Sequence, residues 1–315
     1  MNKAQSTPLV AVIATGGTIA SKRGDNGAST PTLSGKDLLA LLPDAAADLR
    51  AIELMAKDSA SLTLADMQRI SNAVKAELDD TAVQGVVVLH GTDAMEETAL
   101  LVHLQHRIAR PVVFTGAQFT ADHPDADGPA NLAAAVSLAC DDANADRGVL
   151  IAFGGRVLPV WGAFKYSSDS ADAFRAARDV RNAKGPDLAK PLGDIRIDTV
   201  AIYPGCDATH IVASLEAGAR GLVLAALGSG NANPSIVEAV SECTRRGVPV
   251  VVSSRVPVGL LAPGYGGGGG GHDMGAAGAI HALTLRPGQA RILLAALVAS
   301  GASRETMVRA FDDYR

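Results

Sequence analysis

The sequence predicts an α/β fold: a mostly parallel sheet with flanking helices in a larger N-terminal domain, followed by a smaller α/β C-terminal domain. Three observations carry this expectation. At 315 residues the chain exceeds what one hydrophobic core usually organises, and chains of this size split into cores of roughly 100 to 200 residues. Short runs rich in valine and isoleucine alternate with longer helical patterns, the sequence form of βαβ units around a buried parallel sheet. Hydrophobic residues make up 48% and charged residues 19%, a balance that supplies apolar surface for burial and argues against disorder.

Taken in order, Pro8 to Ala14 reads as the first buried strand. Thr63 caps a helix that carries Leu64, Met67, Ile70, Val74 and Leu78 on one face, and Asp66 stands where a capping box needs its acid. Gly85 to His90, Pro111 to Thr115 and Gly148 to Phe153 are further strands, separated by helices from Ala94 to His106 and from Gly128 to Ala139. From Pro159 to Ile195 the periodicity weakens and charges, glycines and prolines accumulate, as in Lys184-Gly185-Pro186-Asp187. The crossing between domains is placed there, giving domains 1–190 and 191–315. Beyond it come a strand from Thr199 to Tyr203, a helix from Asp207 to Ala217 and a strand from Arg220 to Leu227. A helix follows with Asn233 as cap, Pro234 at its first position and Gly247 closing it. The strand Val248 to Ser253 and two helices, beginning near Pro287 and Ser303, finish the chain.

Composition excludes several function classes. The formal net charge is -5 with scattered basic residues, which offers no clustered positive surface for a phosphate backbone, so no nucleic-acid partner is expected. Cys140, Cys206 and Cys243 lie far apart within apolar segments and read as buried side chains rather than as disulfides or metal ligands. No run reaches the roughly 18 apolar residues of a membrane helix, and the apolar run from Leu9 to Ala14 is shorter than a signal-peptide core. No membrane partner and a cytoplasmic location are the expectations. The segment Gly264 to Gly271 contains six consecutive glycines and reads as a mobile surface loop.

The chemistry lies in two glycine motifs. Thr15-Gly16-Gly17-Thr18 follows the first strand, and His90-Gly91-Thr92-Asp93 ends another, both at the carboxyl ends where open α/β sheets place their ligands. Thr18, Thr92 and Asp93 would therefore converge on one crevice. A threonine hydroxyl is a poor nucleophile until a neighbouring base takes its proton, and Thr92 with Asp93 and a lysine of lowered pKa would form a workable relay.

Ala14-Thr15-Gly16-Gly17-Thr18-Ile19-Ala20 and Leu89-His90-Gly91-Thr92-Asp93-Ala94-Met95-Glu96-Glu97-Thr98 resemble the two signatures of the bacterial L-asparaginase family, including its glutaminase-asparaginase members. Further similarity appears at Asp127 to Leu132, Arg147 to Leu150, Gly228 to Asn231 and Ser253 to Pro257. The resemblance implies a two-domain α/β enzyme that hydrolyses L-asparagine to aspartate and ammonia through an acyl-enzyme, without metal or organic cofactor, as a homotetramer built from intimate dimers. By position, Thr18 is the implied nucleophile, and Thr92, Asp93 and Lys165 form the implied second catalytic group. Ser59 is implied to bind the substrate α-carboxylate, Asp93 the α-amino group, and Asn231 to approach the substrate from the second domain. Backbone groups of the Gly17 turn and of Gly91-Thr92 would line the substrate and stabilise the oxyanion.

The chain departs from the family pattern in four places. No tyrosine occurs from Ser21 to Leu33, where family members carry one on a lid. Between Pro257 and Arg286 there is no glutamate to reach a neighbouring subunit's substrate, and Asp273, the one acid there, is the substrate-binding candidate in its place. Gly116-Ala117-Gln118-Phe119 replaces an arginine-proline, and Ala60 a polar neighbour of Ser59. Turnover of glutamine or another small amino-acid amide, or amino-acid binding with weak catalysis, are the alternatives, since one methylene in a pocket is worth only about 1 to 3 kcal/mol.

Overall fold

The computed structural model describes residues 7–24, 27, 29–40, 42, 47–176 and 187–312. By its packing the chain forms two compact units, Met1–Arg175 and Ala176–Arg315. Lys184, Gly185 and Pro186, in the segment expected to join the domains, lie outside the described residues.

The first unit opens with β1 (Leu9–Ala14), a hairpin of β2 (Ser21–Arg23) and β3 (Ser29–Pro31), α1 (Gly35–Leu39) and β4 (Asp48–Glu53). It continues through α2 (Leu64–Asp79), β5 (Val83–Leu89), α3 (Met95–Gln105), β6 (Val112–Thr115), α4 (Gly128–Cys140) and β7 (Val149–Phe153). The antiparallel β8 (Arg156–Pro159) and a separate two-stranded ribbon of β9 (Ala163–Lys165) and β10 (Phe174–Ala176) follow. Among the described residues the main sheet has six strands in the order β4-β1-β5-β6-β7-β8, parallel except at its β8 edge.

The four expected strands are the central ones, and their burial explains their sequence. Val86, Val87, Val88 and Leu89 have no exposure at all, as befits a parallel strand covered on both faces. α1 and α4 cover one face through a cluster that includes Leu38, Leu132, Val136, Val12, Val87 and Leu89. α2 and α3 pack against each other and against the sheet, outside that cluster, and so cover the other face. The capping box of α2 is present: Asp66 N donates to Thr63 Oγ1 at 3.2 Å, and Thr63 N donates to Asp66 Oδ2 at 2.9 Å.

The second unit holds β11 (Ile197–Ala201), α5 (Thr209–Glu216), β12 (Gly221–Ala226), α6 (Pro234–Arg245) and β13 (Val250–Ser254). α7 (Gly271–Ala276), β14 (Ile280–His281), α8 (Pro287–Ser300) and α9 (Arg304–Asp312) complete it. Its sheet runs β11-β12-β13-β14, all parallel. Asn233 caps α6 by accepting from Ile236 N at 3.2 Å, with Pro234 at the first position. The mostly parallel sheet with flanking helices expected of the first half, and the smaller α/β arrangement expected of the second, are thus the ones observed.

Candidate active site

Strand register brings the two glycine motifs together. Ala14 at the end of β1 pairs with Leu89 at the end of β5, so the chain leaves both strands at the same edge of the sheet. Thr15 fastens the first turn to the second, its N and Oγ1 both donating to Leu89 O at 3.1 and 2.8 Å.

The glycines are required by contact as well as by conformation. Gly17 adopts φ 88° and ψ −177°, a region open essentially to glycine alone. A Cβ there would sit 2.7 Å from Gly91 Cα and N. A Cβ on Gly91 would in turn meet Ser59 Oγ at 2.5 Å. The backbones of the two motifs and the Ser59 side chain are therefore stacked with no room for a methyl group. Thr18, half-buried, begins a short 3-10 turn, and the next two residues, Ile19 and Ala20, are buried in the core cluster. That anchors the residue on its C-terminal side.

On the second turn His90 is fully buried, its Nδ1 2.7 Å from Gly91 O. A carbonyl only accepts, so Nδ1 carries the proton. Burial pushes the imidazole pKa down to about 4, which keeps the ring neutral and in a structural role. Ser59 sits in a 3-10 turn capped by Asp58, and its Oγ accepts from Asp93 N at 3.2 Å. Thr92 is buried, whereas the Asp93 side chain is 56% exposed. Lys165, at the end of β9, lays its amine between them, donating to Thr92 Oγ1 and to Asp93 Oδ1, each at 2.7 Å. An amine this close to a hydroxyl oxygen is within reach of proton transfer.

Gly17, Thr18, Ser59, Gly91, Thr92, Asp93 and Lys165 are thus assembled in the first unit. Its surroundings are braced by Asp127, which accepts from Gln118 N and Phe119 N at 3.0 Å, and by Asn131, which joins Gly116 O to Gly154 N. The hairpin after Thr18 is docked by Ala121 N donating to Ser21 O at 3.0 Å and Arg23 N to Asp122 at 3.1 Å. Glu96, in the first turn of α3, accepts from Lys165 N at 3.4 Å. Sequence reading gave Glu96 no role, because an acid at a helix N-terminus is explained by the helix dipole alone.

Asn231 and Asp273 come together in the second unit, around the glycine run. Gly271 N donates to Asn231 Oδ1 at 3.2 Å, while Gly268 N and Gly270 N donate to Asp273 Oδ2 at 2.7 and 3.0 Å. These backbone donors hold the Asp273 carboxyl below its ordinary range. Ala232 N also donates to Gly269 O, and His272 N to Tyr265 O. The run expected to be a mobile loop is a tied one: its entropy is restrained by two side chains that the glycine count does not reveal. Among the described residues no group of three or more His, Cys, Asp and Glu side chains is gathered as a metal-ligand set, and no helix is long and apolar enough to cross a membrane.

Comparison with known proteins agrees with this arrangement. Residues 9–185 match the family model for the asparaginase N-terminal domain, and residues 196–311 that for the glutaminase/asparaginase C-terminal domain. The chain is 34% identical to a probable L-asparaginase of Deinococcus radiodurans, over 97% of this chain and 98% of that one. It is 32% identical to L-asparaginase 2-3 of Saccharomyces cerevisiae, covering 95% and 88%, and 29% identical to L-asparaginase 2 of Escherichia coli, covering 99% and 94%. With two signature turns locked at one sheet edge and both family domains matched along its length, the chain belongs to the asparaginase family.

Proposed function

We propose that this protein hydrolyses L-asparagine to L-aspartate and ammonia, with Thr18 as nucleophile and an acyl-enzyme intermediate. The observation that carries the reading is the Lys165 amine seated on both Thr92 Oγ1 and Asp93 Oδ1 beside the Gly17–Gly91 contact. In this mechanism Thr18 Oγ attacks the side-chain amide carbon, and backbone N–H groups of the Gly17 turn and of Thr92 stabilise the oxyanion. Collapse breaks the C–N bond, the proton that Thr18 Oγ gives up on attack is carried to the leaving nitrogen so that ammonia departs, and the acyl group remains esterified to Thr18. Water then attacks the ester, giving a proton to Thr92 Oγ1 as Thr92 passes its own hydroxyl proton to the Lys165 amine; the bond to Thr18 Oγ breaks, that proton returns to Thr18 Oγ, and aspartate is released.

A zwitterionic substrate needs charge and hydrogen-bond partners for its head group. Ser59 is assigned to the α-carboxylate and the exposed Asp93 carboxylate to the α-amino group. Asn231 and Asp273 are kept as further substrate-binding candidates, acting through the glycine loop they brace. Unpaired cysteines at Cys140, Cys206 and Cys243 accord with a cytoplasmic location, and a homotetramer is the proposed assembly, to be read from sedimentation of the purified protein.

The names of the relatives favour asparagine as substrate, while that of the C-terminal family keeps glutamine as the second reading. The deciding measurement is ammonia release from L-asparagine, L-glutamine and a panel of small amides by wild type and Thr18→Ala. Asparagine turnover that Thr18→Ala abolishes supports the reading. Glutamine turned over faster replaces the substrate, and unchanged turnover in Thr18→Ala removes the nucleophile.

A further inference from the structure

We infer that Glu96 is a positioning residue for Lys165, its carboxyl holding the β9 main chain at Lys165 so that the amine meets Thr92 and Asp93 from a fixed origin. The inference rests on the catalytic reading of Lys165 above. β9 is only three residues long and pairs with β10 in a ribbon separate from the six-stranded sheet, so no ladder to the central strands sets where Lys165 stands. What ties its main chain to the turn carrying Thr92 and Asp93 is the start of α3. Thr92 and Asp93 lie in the turn that leads into that helix, and Glu96 is its second residue. Lys165 is therefore gripped twice by one element, through its side chain at Thr92 and Asp93 and through its main-chain N–H at Glu96 Oε1.

The state of that carboxyl suits the task. Its Oε2 has no access to solvent, and burial pushes its pKa up to about 8, with Glu97 on the same helix raising it further and Lys165 opposing. At neutral pH it is protonated, accepting through its carbonyl oxygen without standing as an anion beside the lysine. Above about pH 8 the anion forms. Of the charged groups around it, Glu97 and Asp93 are of like sign, so Lys165 is the one the new charge attracts. The amine is drawn away from Thr92 Oγ1 toward that charge, and the relay that runs through their contact slows.

The test compares purified full-length wild type with Glu96→Ala, Glu96→Gln and Lys165→Met, measuring kcat and KM for ammonia release from L-asparagine between pH 6 and about pH 9.5, a span chosen to bracket the carboxyl's titration. Thermal melts are run alongside. Glu96→Ala is expected to lower kcat on the order of tenfold, the worth of one buried hydrogen bond, with KM little changed. Glu96→Gln, which keeps an acceptor and cannot ionise, should restore most of that loss at pH 7. Its kcat relative to wild type should rise as pH passes about 8. Wild-type kcat in Glu96→Ala, or a wild-type alkaline limb in Glu96→Gln, overturns the inference, and the second result decides alone if Glu96→Ala does not fold. Lys165→Met distinguishes the levels. If it is inactive while Glu96→Ala is normal, only the positioning role fails; if it turns over normally, the catalytic reading fails and takes the positioning role with it.

Discussion

Replacing Gly17 by alanine isolates the contact on which the site is built. Two costs act together at this position. The backbone stands at φ 88° and ψ −177°, which for a residue with a Cβ costs on the order of 1 to 3 kcal/mol. The new methyl group would lie 2.7 Å from Gly91 Cα and N, and because that neighbour is backbone it cannot rotate away; overpacking of this kind costs a further 1 to 3 kcal/mol, roughly. The two together come to about 2 to 6 kcal/mol, which lowers the melting temperature of a unit this size by roughly 4 to 24 °C, at about 2 to 4 °C per kcal/mol. Gly155→Ala is the control: Gly155 also has positive φ, 76°, but a Cβ there meets nothing within 4 Å. Differential scanning fluorimetry of both variants, with ammonia release measured at a temperature where each is folded, separates conformation from contact. Gly17→Ala should melt well below Gly155→Ala and lose at least about a hundredfold in kcat/KM, the scale of a displaced oxyanion donor. Equal melting temperatures, or a Gly17→Ala protein with wild-type kcat/KM, would refute the reasoning.

Three further outcomes are expected. Ser59→Ala removes the acceptor of Asp93 N and should raise KM for asparagine by about tenfold, with a smaller change in kcat, as for a lost ground-state contact; an unchanged KM detaches Ser59 from substrate. Asp66 is held at a pKa of about 2, chiefly by the Lys57 amine and then by Thr63 N–H, against an unfolded value of 3.8. Its stabilisation is therefore fully present above the unfolded value and lost as pH falls through about 2. With screening discounted this amounts to roughly 1 to 2 kcal/mol, so urea midpoints of wild type should fall between pH 5 and about pH 2 more steeply than those of Asp66→Asn, and parallel curves count against it. Asp273→Ala frees Gly268 N and Gly270 N, and amide exchange of residues 266–271 should accelerate by at least about tenfold; protection equal to wild type means the backbone alone fixes the loop.

What could be read from sequence follows from how local each determinant is. The α2 cap needs only Thr63 and Asp66, and the α6 start only Asn233 and Pro234, so both helices announce themselves within a few residues. The central strands are legible because burial on both faces demands uninterrupted valine and isoleucine. β4 escapes notice for the opposite reason: as an edge strand, Asp48-Leu49-Arg50-Ala51-Ile52-Glu53 is half-exposed and begins and ends with charge. β9 is too short to show a period, and Lys165 is legible only through family resemblance, since its partners lie 72 and 73 residues away. Glu96 and the glycine run mislead in the same way. Each has a sufficient local explanation, a helix dipole and a high chain entropy, while the tertiary partner that changes its meaning, Lys165 N in one case and the Asp273 carboxylate in the other, is invisible in a window of sequence.

The arrangement also explains why the two threonines proposed as catalytic are built so differently from the lysine beside Thr92. Thr18 and Thr92 each follow a glycine packed on the other's turn, and both leave central strands whose register is fixed by parallel ladders. Their separation is set by the main sheet itself, and a side chain at Gly17 would widen it. Nucleophile and base must be placed to within fractions of an ångström for an amide carbon to be attacked on one face and water delivered later. The duty proposed for Lys165 is different, to receive and return a proton, and an amine on a four-carbon stem tolerates small shifts of its origin provided its end stays between Thr92 and Asp93. A short ribbon held to the α3 start at the Lys165 N–H suffices for that. The rigid sheet edge fixes Thr18 and Thr92, and the ribbon brings the Lys165 amine to Thr92 and Asp93.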